Sequence, residues 1–150
     1  MKSALLTNHE GHYGLSETIR ALQAGVPPLD AIERGIREVE RHPSARTVGY
    51  GGAPNAMGLM ELDAAVMDGE TLQAGAVAAL QGYRHPVSVA RQVMERLPHV
   101  FLAGEGAARF AAEIGAEKGE LLSDEARENY RIWLRKQRGD DIPPDWEDGT

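Results

Sequence analysis

Glycine punctuates two stretches of this chain, VGYGGAPNAMGLMELDAAVMDGETLQAGAVAAL over residues 48–80 and LPHVFLAGEGAARF over residues 97–110. Gly49, Gly51, Gly52, Gly58, Gly69, Gly104 and Gly106 stand where a chain needs positive φ or close backbone approach, with Gly51 and Gly52 in a tight turn. Segments of this kind are shaped by sterics more than by reactive side chains, which marks a scaffold.

Around them the chain alternates helical and extended segments. Residues 3–7 predict a short buried strand. Ser16 opens a helix with Leu15, Ile19 and Leu22 on one face, ended by Gly25. A second helix starts at Pro28 with Asp30 in its first turn. It carries the stripe Leu29, Ile32, Ile36 and Val39, pairs Glu33 with Arg37 outside that stripe, and closes at His42 and Pro43. Residues 61–67 alternate Leu62, Ala64 and Val66 against Asp63, Ala65 and Met67, and Asp68-Gly69 predicts a type I′ hairpin turn. Three more helices are expected. Residues 86–97 turn Val89, Ala90, Val93 and Met94 inward, residues 105–114 turn Ala107, Phe110 and Ala111, and residues 124–138 turn Tyr130, Trp133 and Leu134, with Ser123 as N-cap.

The apolar positions are mostly Ala, Val and Leu, with only two Trp and two Phe in 150 residues, so the core is thin and suited to completion by a second chain. A net charge of −7 with interleaved acids and bases argues against a nucleic-acid partner. No apolar run approaches the roughly 18 to 20 residues of a membrane span, so no membrane is expected. With no cysteine, the chain offers neither disulfides nor thiolate chemistry and suits a reducing cytoplasm. Residues 1–139 read as part of one domain, and residues 140–150 as an acidic, Pro-rich tail or linker.

Several constellations imitate active sites. His9-Glu10-Gly11-His12 lacks the spacing of a helical zinc motif, and no metal is expected there. Asp63 and Asp68 lie on a strand and in its turn, which favours structural roles over acid–base catalysis. The glycine words are not followed by the Lys-Ser/Thr of a phosphate loop. Met57, Met60, Met67 and Met94 read as packing residues, and His85 and His99 as structural or surface histidines.

Five words in order are similar to the α-subunit of the glycosylasparaginase and plant-type asparaginase (isoaspartyl peptidase) family of N-terminal nucleophile hydrolases. They are VGYGG with Pro54-Asn55, ELDAAVMDG, AGAVAAL, HPVSVARQVMERLPHV and GEGAARFA, and together they cover most of the chain. The resemblance implies an α+β fold, an αββα sandwich of which this chain forms one part and a β-chain from the same precursor the rest. The αβ units are expected to pair. It implies hydrolysis of the β-amide of asparagine-type substrates with no cofactor. The nucleophile would be a Thr freed at the head of the β-chain, its own α-amino group acting as base. VGYGG and GEGA lie nearer the glycosylasparaginase branch; asparaginase or isoaspartyl dipeptidase activity, and a catalytically silent interaction subunit, remain the alternatives.

No catalytic residue is therefore expected in this chain. Its contribution is a substrate-pocket wall of His9, Tyr50, Gly51 and Gly52. His9 falls where the glycosylasparaginase branch carries a Trp, and Ala53 where that branch can carry a Ser. Gly149-Thr150 resembles the plant-type maturation junction. The cut is expected further on, with Thr150 itself as the alternative.

Overall fold

The computed structural model describes residues 4–139 together with residues 142, 143 and 146. Among them, alternation over residues 61–67 produces β1 (Leu62–Met67), which pairs antiparallel with β2 (Ala74–Leu80) in the register Ala64↔Val77, Ala65↔Ala76, Val66↔Gly75 and Met67↔Ala74. A third strand, β3 (Phe101–Ala103), adds parallel to β2, giving the order β1-β2-β3. The helices are α1 (His12–Gln23), α2 (Pro28–Arg41), α3 (Pro86–Arg96), α4 (Gly104–Glu113) and α5 (Asp124–Arg138), and a 3-10 turn at Gly49–Gly51 precedes the hairpin.

One face of the sheet makes the core. Val66, Val77 and Leu80 pack with Val89, Ala90, Val93 and Met94 of α3 and with Ala107, Phe110 and Ala111 of α4. Gly75 lets α3 lie directly on β2, because a Cβ there would stand 2.3 Å from the Ala90 carbonyl oxygen and 2.4 Å from the Met94 nitrogen. The opposite face is apolar and open. Ala65, Met67, Phe101 and Ala103 are exposed on it, Met67 at 58% and Phe101 at 55%. No described residue covers this face.

The hairpin is real, but its turn is not the two-residue type. Asp68 N–H donates to the Gln73 carbonyl and Leu72 N–H to that of Asp68, while the Asp68 carboxylate accepts from the Glu70 and Thr71 amides. Positive φ falls on Leu72, at 60°, and not on Gly69. Asp63 also has structural work. The ladder bulges between Leu62 and Ala64, Ala79 is left at φ 49°, and the Asp63 carboxylate accepts its N–H at 2.8 Å.

Other expectations are corrected. Residues 4–7, the described part of the predicted first strand, form no strand and are exposed, Leu6 at 96%, because no described strand lies beside them to supply a ladder. Helix α1 begins at His12, four residues before Ser16, behind a loop in which Asn8 Oδ1 accepts the Gly11 N–H. Its buried face is Gly14, Thr18 and Ala21, with Ile19 exposed. Close approach to α2 explains this, since a Cβ on Gly14 would stand 2.1 Å from the Gly35 carbonyl oxygen. The same crossing buries Ala31 and Gly35 of α2 and leaves Ile32 partly exposed.

Helix α5 starts and ends as expected, its Ser123 hydroxyl accepting the Ala126 N–H, but Trp133 is 44% exposed and only Tyr130 and Leu134 of its predicted stripe are buried. Met94 packs in the core, whereas Met57 and Met67 are exposed. Of the expected tail, Trp146 lies beneath the Arg138 guanidinium at 4.3 Å. Residues 140, 141, 144, 145 and 147–150, with the Gly149-Thr150 junction, lie outside the described residues, as do residues 1–3.

Candidate functional site

The tight glycine word gathers the site. After α2, the chain folds back on itself so closely that a Cβ on Gly49 would stand 2.0 Å from the Glu40 carbonyl oxygen, and one on Gly51 2.3 Å from that of Ala45. Gly49 adopts φ 59°. At Gly51 it is approach that demands glycine and not positive φ, while at Gly52, with φ −65°, a Cβ would sit a tight 3.1 Å from the Gly49 carbonyl oxygen. Gly69 and Gly106 need neither, as a Cβ on either would meet open space.

Two cavities share Gly52 and Ala53 as a common wall. The larger, about 510 Å³, runs from Thr7, Asn8 and Glu10 past Gly49 to Asp63 and Ala65 on β1. The smaller, about 460 Å³, lies between residues 51–56 and Tyr130 and Trp133 of α5. Gly51 lines the smaller cavity and Gly52 both. Neither His9 nor Tyr50 lines either one. His9 is exposed ahead of α1, its carbonyl 2.6 Å from His12 Nδ1 and its ring 5.5 Å from the His12 ring. Tyr50 is half-buried in the 3-10 turn.

Asn55 organises the strip between the cavities and the hairpin. Its Oδ1 accepts the Met57 and Leu59 amides at 2.9 and 3.0 Å, and its Nδ2 donates to Glu61 at 2.9 Å. Sequence reading singled out Pro54-Asn55 as a word; this Asx-type loop is its physical content.

Glu10 binds the front of α1 to the glycine turn, accepting the Arg46 N–H at 2.7 Å, the Thr47 N–H at 3.2 Å and the Thr47 hydroxyl. The Thr47 hydroxyl first, then the Arg46 amide, hold its carboxyl below the usual carboxylate range. These three bonds tie the carboxylate to the loop that leads into the glycine turn. Gly11 packs against the loop before it, because a Cβ there would fall 1.6 Å from Thr7 Oγ1.

Sequence reasoning missed the polar pair beneath the site. Glu40 and His85 are both buried, with His85 Nδ1 3.1 Å from Glu40 Oε2 and the Val87 N–H donating to Glu40 Oε1 at 3.0 Å. Burial pushes the Glu40 carboxyl up, against the pull of the bonds from His85 and Val87. The partners stand 45 residues apart, so no local signal in the chain announces them. His99 is exposed.

Comparison with known proteins adds to this geometry. The profile of a family described as Asparaginase matches residues 8–147. The chain is 43% identical over 127 residues to an N(4)-(beta-N-acetylglucosaminyl)-L-asparaginase of Elizabethkingia miricola, covering 83% of this chain and 37% of that protein. It is 45% identical over 100 residues to an isoaspartyl peptidase/L-asparaginase of Rattus norvegicus, covering 67% and 30%. To a plant-type L-asparaginase of Thermococcus kodakarensis it is 44% identical over 109 residues, covering 73% and 35%. The chain thus spans about a third of the length of these relatives.

Proposed function

Because the chain belongs to the Asparaginase family, we propose that it is the α-subunit part of an N-terminal nucleophile amidohydrolase acting on the side-chain amide of asparagine-type substrates. The observation that carries this reading is the open apolar sheet face beside the 510 Å³ cavity. A β-chain covering that face would complete an αββα sandwich and bring its leading Thr to the cavity mouth. There the Thr hydroxyl, relieved of its proton by its own α-amino group, attacks the amide carbonyl and expels ammonia or an amine. Water then hydrolyses the β-aspartyl ester. The α-amino group suits the task because its ordinary pKa, roughly 8, lies near neutral pH. Oxyanion donors on the β-chain would stabilise the tetrahedral intermediate.

The relative with the widest coverage among the three supports a glycosylated asparagine as substrate, and His9 in place of an indole supports a smaller one. The complete protein decides between them. Its Thr nucleophile, located by sequencing the N-termini of the mature chains, is expected at Thr150 or beyond. Replacing that Thr by Ala should abolish hydrolysis of asparagine, a β-aspartyl dipeptide and a glycosylated asparagine alike, and persisting turnover would overturn the reading. An uncut wild-type protein without turnover would instead identify a silent interaction subunit.

His9 carries a further prediction. If it faces the substrate across the completed site, His9→Trp should shift kcat/KM between the glycosylated and the small substrates by more than about tenfold, or roughly 1.4 kcal/mol. Changes smaller than that for every substrate in both His9→Trp and His9→Ala would remove His9 from the pocket wall.

A further inference from the structure

Helix α5 turns a whole stripe of residues toward the 460 Å³ cavity. Ala126, Asn129, Tyr130 and Trp133 all line it, and their spacing of i, i+3, i+4 and i+7 puts them on one helix face. Ala126 and Tyr130 are buried, whereas Asn129 and Trp133 are exposed. The Tyr130 hydroxyl donates to the Ala56 carbonyl at 3.2 Å, which fixes its ring, and the Trp133 ring lies 6.1 Å away with the two planes 26° apart. A flat aromatic surface is thus left uncovered inside a concavity.

The polar groups around that surface narrow the chemistry of its ligand. Across from α5 the wall is residues 51–56, and the polar side chain there, Asn55, is spent on the Met57 and Leu59 amides and on Glu61. Two groups remain. Asn129 brings an amide, both donor and acceptor, and Arg46 a guanidinium whose charge is already paired with Glu125 through Nη2. Charge in the cavity is therefore balanced, which favours neither an anion nor a cation. A wholly apolar ligand would strip water from Asn129 and Arg46 without replacing it. The lining instead matches a neutral molecule with one flat C–H face and hydroxyl groups along its edge, which is a pyranose.

Gly52 and Ala53 line this cavity and the larger one alike, so the shared wall carries no side chain beyond one methyl group. We propose that the 460 Å³ cavity is the subsite for the sugar of a glycosylated asparagine, with Trp133 stacking on the pyranose and Asn129 and Arg46 bonding its edge. This rests on the amidohydrolase reading, which puts the scissile amide in the larger cavity. A sugar linked to the amide nitrogen then lies across Ala53, on the Trp133 side. The volume falls within the roughly 300–1,000 Å³ of small-molecule sites. Trp133 so becomes a specificity determinant, because a substrate with an unsubstituted amide has nothing to place on it.

The test uses the complete protein labelled with fluorotryptophan, in which the fluorine resonance of Trp133 is identified by its loss in Trp133→Phe. N-acetylglucosamine alone should shift that resonance saturably, whereas glycerol at the same concentration should not. Trp133 is 44% exposed, so Trp133→Ala should fold, and its ratio of kcat/KM for glycosylated asparagine over asparagine should fall by about tenfold or more. Trp133→Phe, which keeps an aromatic face, should retain most of that ratio. An unshifted Trp133 resonance, or a ratio unchanged in Trp133→Ala, would overturn the subsite. A shifted resonance with no turnover of either substrate by the wild type would leave the sugar site standing and contradict the amidohydrolase reading instead.

Discussion

Replacing Gly49 by Ala is expected to destabilise the complete protein by about 3 kcal/mol or more, or to prevent its accumulation in soluble form. Two effects combine. An L-residue held at φ 59° costs roughly 1–2 kcal/mol, and overpacking a close contact costs roughly 1–3 kcal/mol more. Here the contact is backbone to backbone, a Cβ 2.0 Å from the Glu40 carbonyl oxygen, so no side chain can rotate out of the way. Gly69→Ala is the matched control, since that glycine has neither positive φ nor any atom within 4 Å of an added Cβ. Its stability should stay within about 0.5 kcal/mol of wild type. Denaturant unfolding of both variants checks the pair, and equal stabilities would show that the glycine turn yields easily.

Glu40→Leu should be nearly as damaging. It strips the Val87 N–H and His85 Nδ1 of their buried partner, at a cost of about 3 kcal/mol. Glu40→Gln keeps the shape and a carbonyl acceptor for Val87, so it should fold and isolate the effect of charge. Burial holds the Glu40 carboxyl above its ordinary range, so the folded state keeps that proton to higher pH than the unfolded chain does. The stability this contributes is full below the ordinary carboxylate pKa and is lost as the pH rises through the raised folded value. Wild type should therefore fall relative to Glu40→Gln over that interval, read as the difference in Tm between the two across the mildly acidic range. Parallel curves, or a difference of opposite sign, would contradict the assignment.

What the sequence displayed was local. Helix α5 could be read to its ends because Ser123, the apolar stripe and Gly139 all act within a turn of the residues that they control. Helix α3 and the alternation of β1 were legible for the same reason. The start of α1 was not, because the organising interactions are those of Asn8 and Glu10, and Glu10 binds residues 36 and 37 positions away. Nor was the α1–α2 face, where a hydrophobic reading favours Ile19 and Ile32 while the packing is set by what Gly14 and Gly35 lack.

Part of the site was visible as words and part was not. Gly51 and Gly52 do line the cavities, yet the side chains that shape the larger one, Glu10 and Asp63, were weighed and set aside as a false metal motif and a strand carboxylate. The Glu40–His85 pair is invisible to any local pattern. Trp133 and the exposed half of the sheet violate the expected burial for different reasons: Trp133 lines the smaller cavity, and the open sheet face has no complement among the described residues.

That last point carries the account, and introduced thiols test it directly. The chain contains no cysteine, so Ala103→Cys places one thiol of this chain on the open sheet face away from the cavities, and Ala112→Cys places one on the exposed side of α4. In the native complete protein, with labelling located by mass spectrometry, Ala103→Cys should resist a thiol reagent and react only on unfolding, whereas Ala112→Cys should react in both states. Free reaction of Ala103→Cys in the native protein would mean that nothing covers the sheet face, and the two-chain sandwich would have to be abandoned.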